Sequence, residues 1–93
     1  MEDSDWRLLQ LETDRQLNGM LSRILQKYQL ADEEVRFFCL IWAGIPTSRM
    51  YHLSGHSDSY SYRQIRSLLK KLGIKHHSLS YKSDLQTFMD NLK

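Results

Sequence analysis

The chain reads as an all-α domain of about five helices. Apolar residues recur at three- and four-residue steps along most of its length. Nothing reads convincingly as a strand, and acidic or hydroxyl residues precede the apolar runs while glycines follow them. At 93 residues the expectation is a single helical domain, 1–93, too small for a deep catalytic cleft.

An extra N-terminal helix is expected over 5–28. Trp6, Leu9, Leu17, Met20, Leu21, Ile24 and Tyr28 form its apolar stripe, and Asp3, Ser4 and Asp5 supply cap oxygens and negative charge at its start. Gly19 weakens the middle by about 1 kcal/mol relative to Ala, and marks a bend or a close helix contact. This helix packs on the domain in preference to serving as a separate coiled coil, because the central helix has apolar surface to cover.

That central helix opens on Asp32, Glu33 and Glu34, where carboxylates favour the helix dipole. VRFFCLIWA follows, apolar nearly all round, and Gly44 ends it. Pro46 suits the first turn of a short helix that runs to Leu53. Ser54-Gly55-His56 makes a turn, and Ser57 caps a fourth helix that runs to about Leu72. Its inner stripe is Ser61, Ile65, Leu68 and Leu72, with Leu69 beside it. Gly73 closes it. A polar connector spans Lys75 to Lys82, and the last helix, 83–92, aligns Leu85, Phe88, Met89 and Leu92.

Charge is divided along the chain. Residues 1–34 carry four basic and eight acidic side chains, and residues 35–93 carry nine basic and three acidic. Between Arg49 and Lys82, seven Lys or Arg stand against one acid, Asp58. One-sided positive charge on a small domain suits a polyanion, although a merely solvated basic face has the same composition. Two short helices joined by a tight turn, the second basic outside and apolar inside, form a helix-turn-helix pattern. Such a helix fits the major groove, with flanking Lys and Arg on phosphates.

Other chemistry finds little support. The apolar run Phe37 to Ala43 is too short to span a membrane, so no membrane contact is expected, and the acidic opening MEDSDW does not read as a secretory signal. The single Cys39 lies among apolar neighbours and reads as a buried, reduced thiol in a cytoplasmic protein. His52 and His56 are four apart, but Gly55 breaks the helix between them and no third ligand is evident, so no metal is expected. His76 and His77 read as a loop. No nucleophile elbow or phosphate loop occurs, so neither enzyme activity nor a cofactor is expected.

From Leu30 to Ile74 the features come in a definite order: Leu30-Ala31, Asp32-Glu33-Glu34, VRFFCLIWA, Gly44, the short helix, Ser57, the basic helix and Lys71-Leu72-Gly73-Ile74. In that order the stretch resembles the LuxR/GerE-type helix-turn-helix, over about half of the chain and without a gap. It looks most like the divergent form that ends some bacterial regulators with repeat-rich N-terminal regions. The resemblance implies a LuxR/GerE-like core over 31–74 and sequence-specific binding of double-stranded DNA by a transcriptional regulator or its output domain. It places Ser59, Tyr60, Tyr62, Arg63 and Arg66 toward DNA, and Thr47, Ser48 and Arg49 near the backbone. Lys70 and Lys71 then flank the site on phosphates. Ser57 offers its helix start to a further phosphate. The resemblance also makes Leu85, Phe88 and Met89 a homodimer face and suggests an upstream sensor region.

The stretch departs from that pattern at Tyr51, Ser54 and Ser61, where the family has smaller or apolar residues that pack the two helices together. A second reading follows, in which the helix-turn-helix is degenerate and serves as a protein-protein interaction module. The exposed tyrosines near arginine also suit single-stranded nucleic acid, as a third.

Overall fold

A computed structural model describes residues 3–55, 57–75 and 80–92, with Ser54 described in its backbone alone. Six helices follow in order: α1 (Asp3–Gln16), α2 (Met20–Tyr28), α3 (Asp32–Trp42), α4 (Thr47–Ser54), α5 (Asp58–Lys71) and α6 (Tyr81–Leu92). No strand occurs among the described residues. The expected all-α class holds, but six helices rather than five occur among the described residues.

The additional helix comes from the N-terminal segment, which breaks where a single helix was expected. Asn18 and Gly19 both adopt positive φ, 56° and 83°. Two successive left-handed residues cannot continue a right-handed helix. The corner is then tied by side chains. Asp14, in the last turn of α1, accepts the Ser22 N–H at 3.1 Å through Oδ1 and the Ser22 hydroxyl at 3.0 Å through Oδ2. The first turn of α2 leaves its N–H groups without helical partners, and Asp14 satisfies one of them from eight residues upstream.

The central position of α3 follows from its composition. Val35, Phe37, Phe38, Cys39, Leu40 and Ile41 are all buried, and α3 packs against α1, α5 and α6. Its end is closed by hydrogen bonds from the Gly44 N–H to the Ile41 carbonyl and from the Ile45 N–H to the Leu40 carbonyl, 3.0 and 3.2 Å. At the end of α5, the Gly73 and Ile74 N–H groups bond the Lys70 and Leu69 carbonyls in the same arrangement.

The last helix begins two residues earlier than the pattern suggests. Ser80 accepts the Ser83 N–H through its hydroxyl at 3.2 Å, and so caps a helix that starts at Tyr81. Leu85 and Met89 enter the core, 0% and 3% exposed. Phe88 sets its ring edge against Tyr28 of α2, with centroids 5.8 Å apart. The side chains expected to face a second copy are therefore engaged within the domain itself. No helix among the described residues is long and apolar enough to cross a membrane.

Candidate nucleic-acid interface

Helices α4 and α5 are joined by a turn through Gly55, whose φ of 74° requires a residue without a Cβ penalty. Ser57 caps α5, accepting the Tyr60 N–H at 3.2 Å. The inner stripe of α5 is buried as its spacing predicts: Ser61, Ile65 and Leu68 are inaccessible, with Leu69 and Leu72 nearly so.

Burying that stripe turns the opposite face outward. Ser59, Tyr62, Arg63, Arg66 and Lys70 are exposed along it, and Tyr60 is half-buried. Positions 59, 63, 66 and 70 fall at three- to four-residue steps with 62 beside them, so they share one side of the helix. Arg63, Arg66 and Lys70 make no ion pair with the described residues. At the start of α4, Ser48 and Arg49 are exposed, Thr47 is half-buried, and no side chain caps the helix. An uncapped helix start of this kind leaves backbone N–H groups open to an outside acceptor.

Lys71 stands apart from this group. Its ammonium lies 2.6 Å from Oε1 of Glu34, which is almost wholly buried. The Ser67 hydroxyl donates to Oε2 at 3.0 Å, and the Ala31 N–H donates to Oε1 at 2.8 Å. Burial pushes the Glu34 carboxyl up. The hydrogen bonds from Lys71, Ala31 and Ser67, with the Lys71 charge, more than offset it and hold the group below the usual carboxylate range. Lys71 thus binds α5 to the start of α3, and its charge is matched within the domain. The acidic opening of α3 was read from the sequence as a helix-dipole device alone. The missed signal was phase: Glu34 lies on the same side as Phe38 and Ile41, four and seven residues on, and so on a buried face.

The other feature that sequence reasoning missed is a meeting of tyrosines. Tyr62 of α5 lies close enough to Tyr51 of α4 and Tyr81 of α6 to act on both phenols, and Tyr81 acts on Tyr51. Burial raises the Tyr51 phenol, with further upward contributions from Tyr81, Asp58 and Tyr62. Burial also raises Tyr81, with Tyr62 and Asp84 adding to the rise and Arg66 opposing it. Tyr51 and Tyr81 are half-buried and stay protonated at neutral pH, and Arg66 lies near Tyr81. Residues so distant in the chain carry no local signal of this proximity.

Of the departures from the resembled pattern, Ser61 is buried and Tyr51 half-buried. No buried side-chain polar atom among the described residues lacks a partner, so the serine is accommodated without an unsatisfied hydroxyl. The side chain of Ser54, together with His56, His76 and His77, lies outside the described residues. No group of three His, Cys, Asp or Glu side chains suited to a metal occurs among the described residues. Cys39 is buried, and its thiol is pushed up to about 11 by burial, against a weaker downward effect of Thr13.

Compared with protein-family models, with curated proteins and with solved structures, the chain matches none.

Proposed function

We propose that the chain binds double-stranded DNA as a transcriptional regulator or as the output domain of one, with the outer face of α5 as its reading surface. The carrying observation is the exposed stripe of Arg63, Arg66 and Lys70, unpaired by acids among the described residues and opposite a fully buried stripe. Arg63 and Arg66 suit base edges or phosphates, Tyr62 and Ser59 suit polar groove contacts, and Ser48 and Arg49 suit the backbone. The LuxR/GerE-like order of features supports the same reading and makes a cytoplasmic bacterial regulator with an upstream sensor region its setting. No catalytic role and no cofactor are part of this proposal.

The test is equilibrium binding to duplex DNA over a salt series. Arg63→Ala with Arg66→Ala is expected to weaken binding and to reduce the salt slope by about two. Unchanged binding in that double variant rejects α5 as the reading helix.

The tyrosine meeting point supports a second reading, a protein-interaction module, because exposed Tyr beside Arg is also the composition of binding hot spots. Tyr62 is 49% exposed. Retention of a stable protein partner, with no DNA retained even at low salt, would favour it. Preference for single-stranded over duplex oligonucleotides would instead point to base stacking on the tyrosines.

A further inference from the structure

The start of α6 lies between the start of α4 and the exposed stripe of α5. Tyr81 opens α6, and both Tyr62 and Arg66 of α5 act on its phenol. Lys82 follows, about 100° further round the helix, and lies against the corner between α3 and α4. Its ammonium is 5.8 Å from the centroid of the Trp42 ring. The same ammonium stands 3.8 Å from where a side chain at Gly44 would begin. Gly44 has a φ of 79° and no Cβ, so the lysine can approach the corner closely. Ser80 and Lys82 on one side, and Ile45, Pro46 and Thr47 on the other, line a single cleft. Lys82 is exposed and makes no ion pair with the described residues. It also occupies the first turn of α6, the positive end of the helix dipole, where a cation is disfavoured. Helix stability therefore does not explain a lysine at this position.

We infer that Lys82 is a DNA-backbone contact, its ammonium meeting a phosphate of the duplex whose groove receives α5. The inference rests on the DNA reading of α5 and extends that surface to α6, a helix outside the stretch that carries the helix-turn-helix order of features. A phosphate suits the position on three counts. The ammonium has three donors and no carboxylate to meet among the described residues. The Trp42 ring holds it in place, so less side-chain freedom is lost when a phosphate arrives. A bound anion also relieves the repulsion between the lysine and the positive end of α6. Lys27 supplies the contrast. It too is exposed and unpaired among the described residues, with its ammonium 5.4 Å from the centroid of the Tyr28 ring. It lines a hollow with Leu92, however, at the other end of α6 and about 15 Å along that helix from Lys82. Lys27 therefore lies off the surface made by α4, α5 and the start of α6.

The test is equilibrium binding of the 93-residue chain to a mixed-sequence duplex oligonucleotide over a salt series, with the thermal midpoint of each variant measured alongside. Lys82→Met should lower the salt slope by about one, a loss of affinity about three- to fourfold smaller over a fourfold rise in salt. Methionine keeps an apolar chain on the Trp42 ring, so the thermal midpoint should hold. Lys82→Arg should keep the wild-type slope. Lys27→Met removes the same charge from the same kind of ring contact and should leave the slope unchanged. A wild-type chain that binds duplex DNA with a slope indifferent to Lys82→Met overturns this inference alone. An equal fall in slope with Lys27→Met also overturns it, because the effect then follows net charge rather than position. A wild-type chain that retains no duplex even at low salt overturns the DNA reading and this inference together.

Discussion

Lys71 Nζ lies 2.6 Å from Glu34 Oε1, joining the last turn of α5 to the first turn of α3 across 37 positions of sequence. Glu34 serves two ends at once. It completes the start of its own helix through the Ala31 N–H, and it fixes the angle at which α5 leaves α3 through Ser67 and Lys71. The pair is asymmetric, with the Glu34 side chain 2% exposed and that of Lys71 42%. One partner is desolvated and the other stays hydrated, so the net stabilisation falls between that of surface and buried pairs.

Glu34→Gln is expected to cost about 1–2 kcal/mol, because the amide still accepts one hydrogen bond but loses the charge that Lys71 meets. The wild-type carboxyl sits below its ordinary value of 4.5 in the folded chain. A group depressed on folding stabilises the native state fully above its unfolded pKa, and that contribution disappears as pH falls through its folded pKa. The stability gap between wild type and Glu34→Gln, measured by urea unfolding, should therefore be constant near neutral pH and close in acid. A gap that widens in acid contradicts the assigned sign.

The adjacent lysines should separate in their effects. Lys70→Met is expected to lower the salt slope of DNA binding by about one with little change in stability. Lys71→Met leaves the Glu34 carboxylate buried without its cation, and should cost about 1–3 kcal/mol of stability while altering the salt slope less. Equal effects of the two on the slope would show that Lys71 leaves Glu34 to reach phosphate.

At Gly19 the structure reverses the sign that helix propensity alone assigns. In a continuous helix, Gly19→Ala stabilises by about 1 kcal/mol. At a φ of 83° an alanine adopts a left-handed conformation, and the substitution should destabilise by about 1–2 kcal/mol although no atom crowds the added carbon. Thermal unfolding of that variant distinguishes one bent pair of helices from one long helix.

Cys39 should behave as an inert core thiol. With its pKa pushed up to about 11 and its side chain buried, labelling by a thiol reagent at neutral pH should be slow in the native chain and rapid in denaturant. Cys39→Ala is expected to cost about 1 kcal/mol through lost packing. Rapid native labelling would mean that α3 is not covered by α1 as described.

Much of the architecture was legible locally. The inner stripe of α5, the all-round apolar character of α3, the closing glycines Gly44 and Gly73 and the cap at Ser57 each depend on residues within one or two helical turns. Capping and amphipathic spacing are short-range properties, so local spacing identified these segments as helical and showed which face of each is apolar, while the break at Asn18 and Gly19 escaped it. The sequence by itself also determined that the outer side of α5 is basic.

Tertiary packing decided where those faces went. Leu85 and Met89 had the same spacing whether they were to meet a second copy or this core, and only the position of α6 against α3 turned them inward. Lys70 and Lys71 are exposed neighbours of identical chemistry, and only the approach of Glu34 made one a structural cation and left the other without an ion pair among the described residues. The convergence of Tyr51, Tyr62 and Tyr81 depends on three helices meeting. In each case the deciding quantity is a distance between groups far apart in the chain, set by how the apolar faces jointly exclude water rather than by any local propensity.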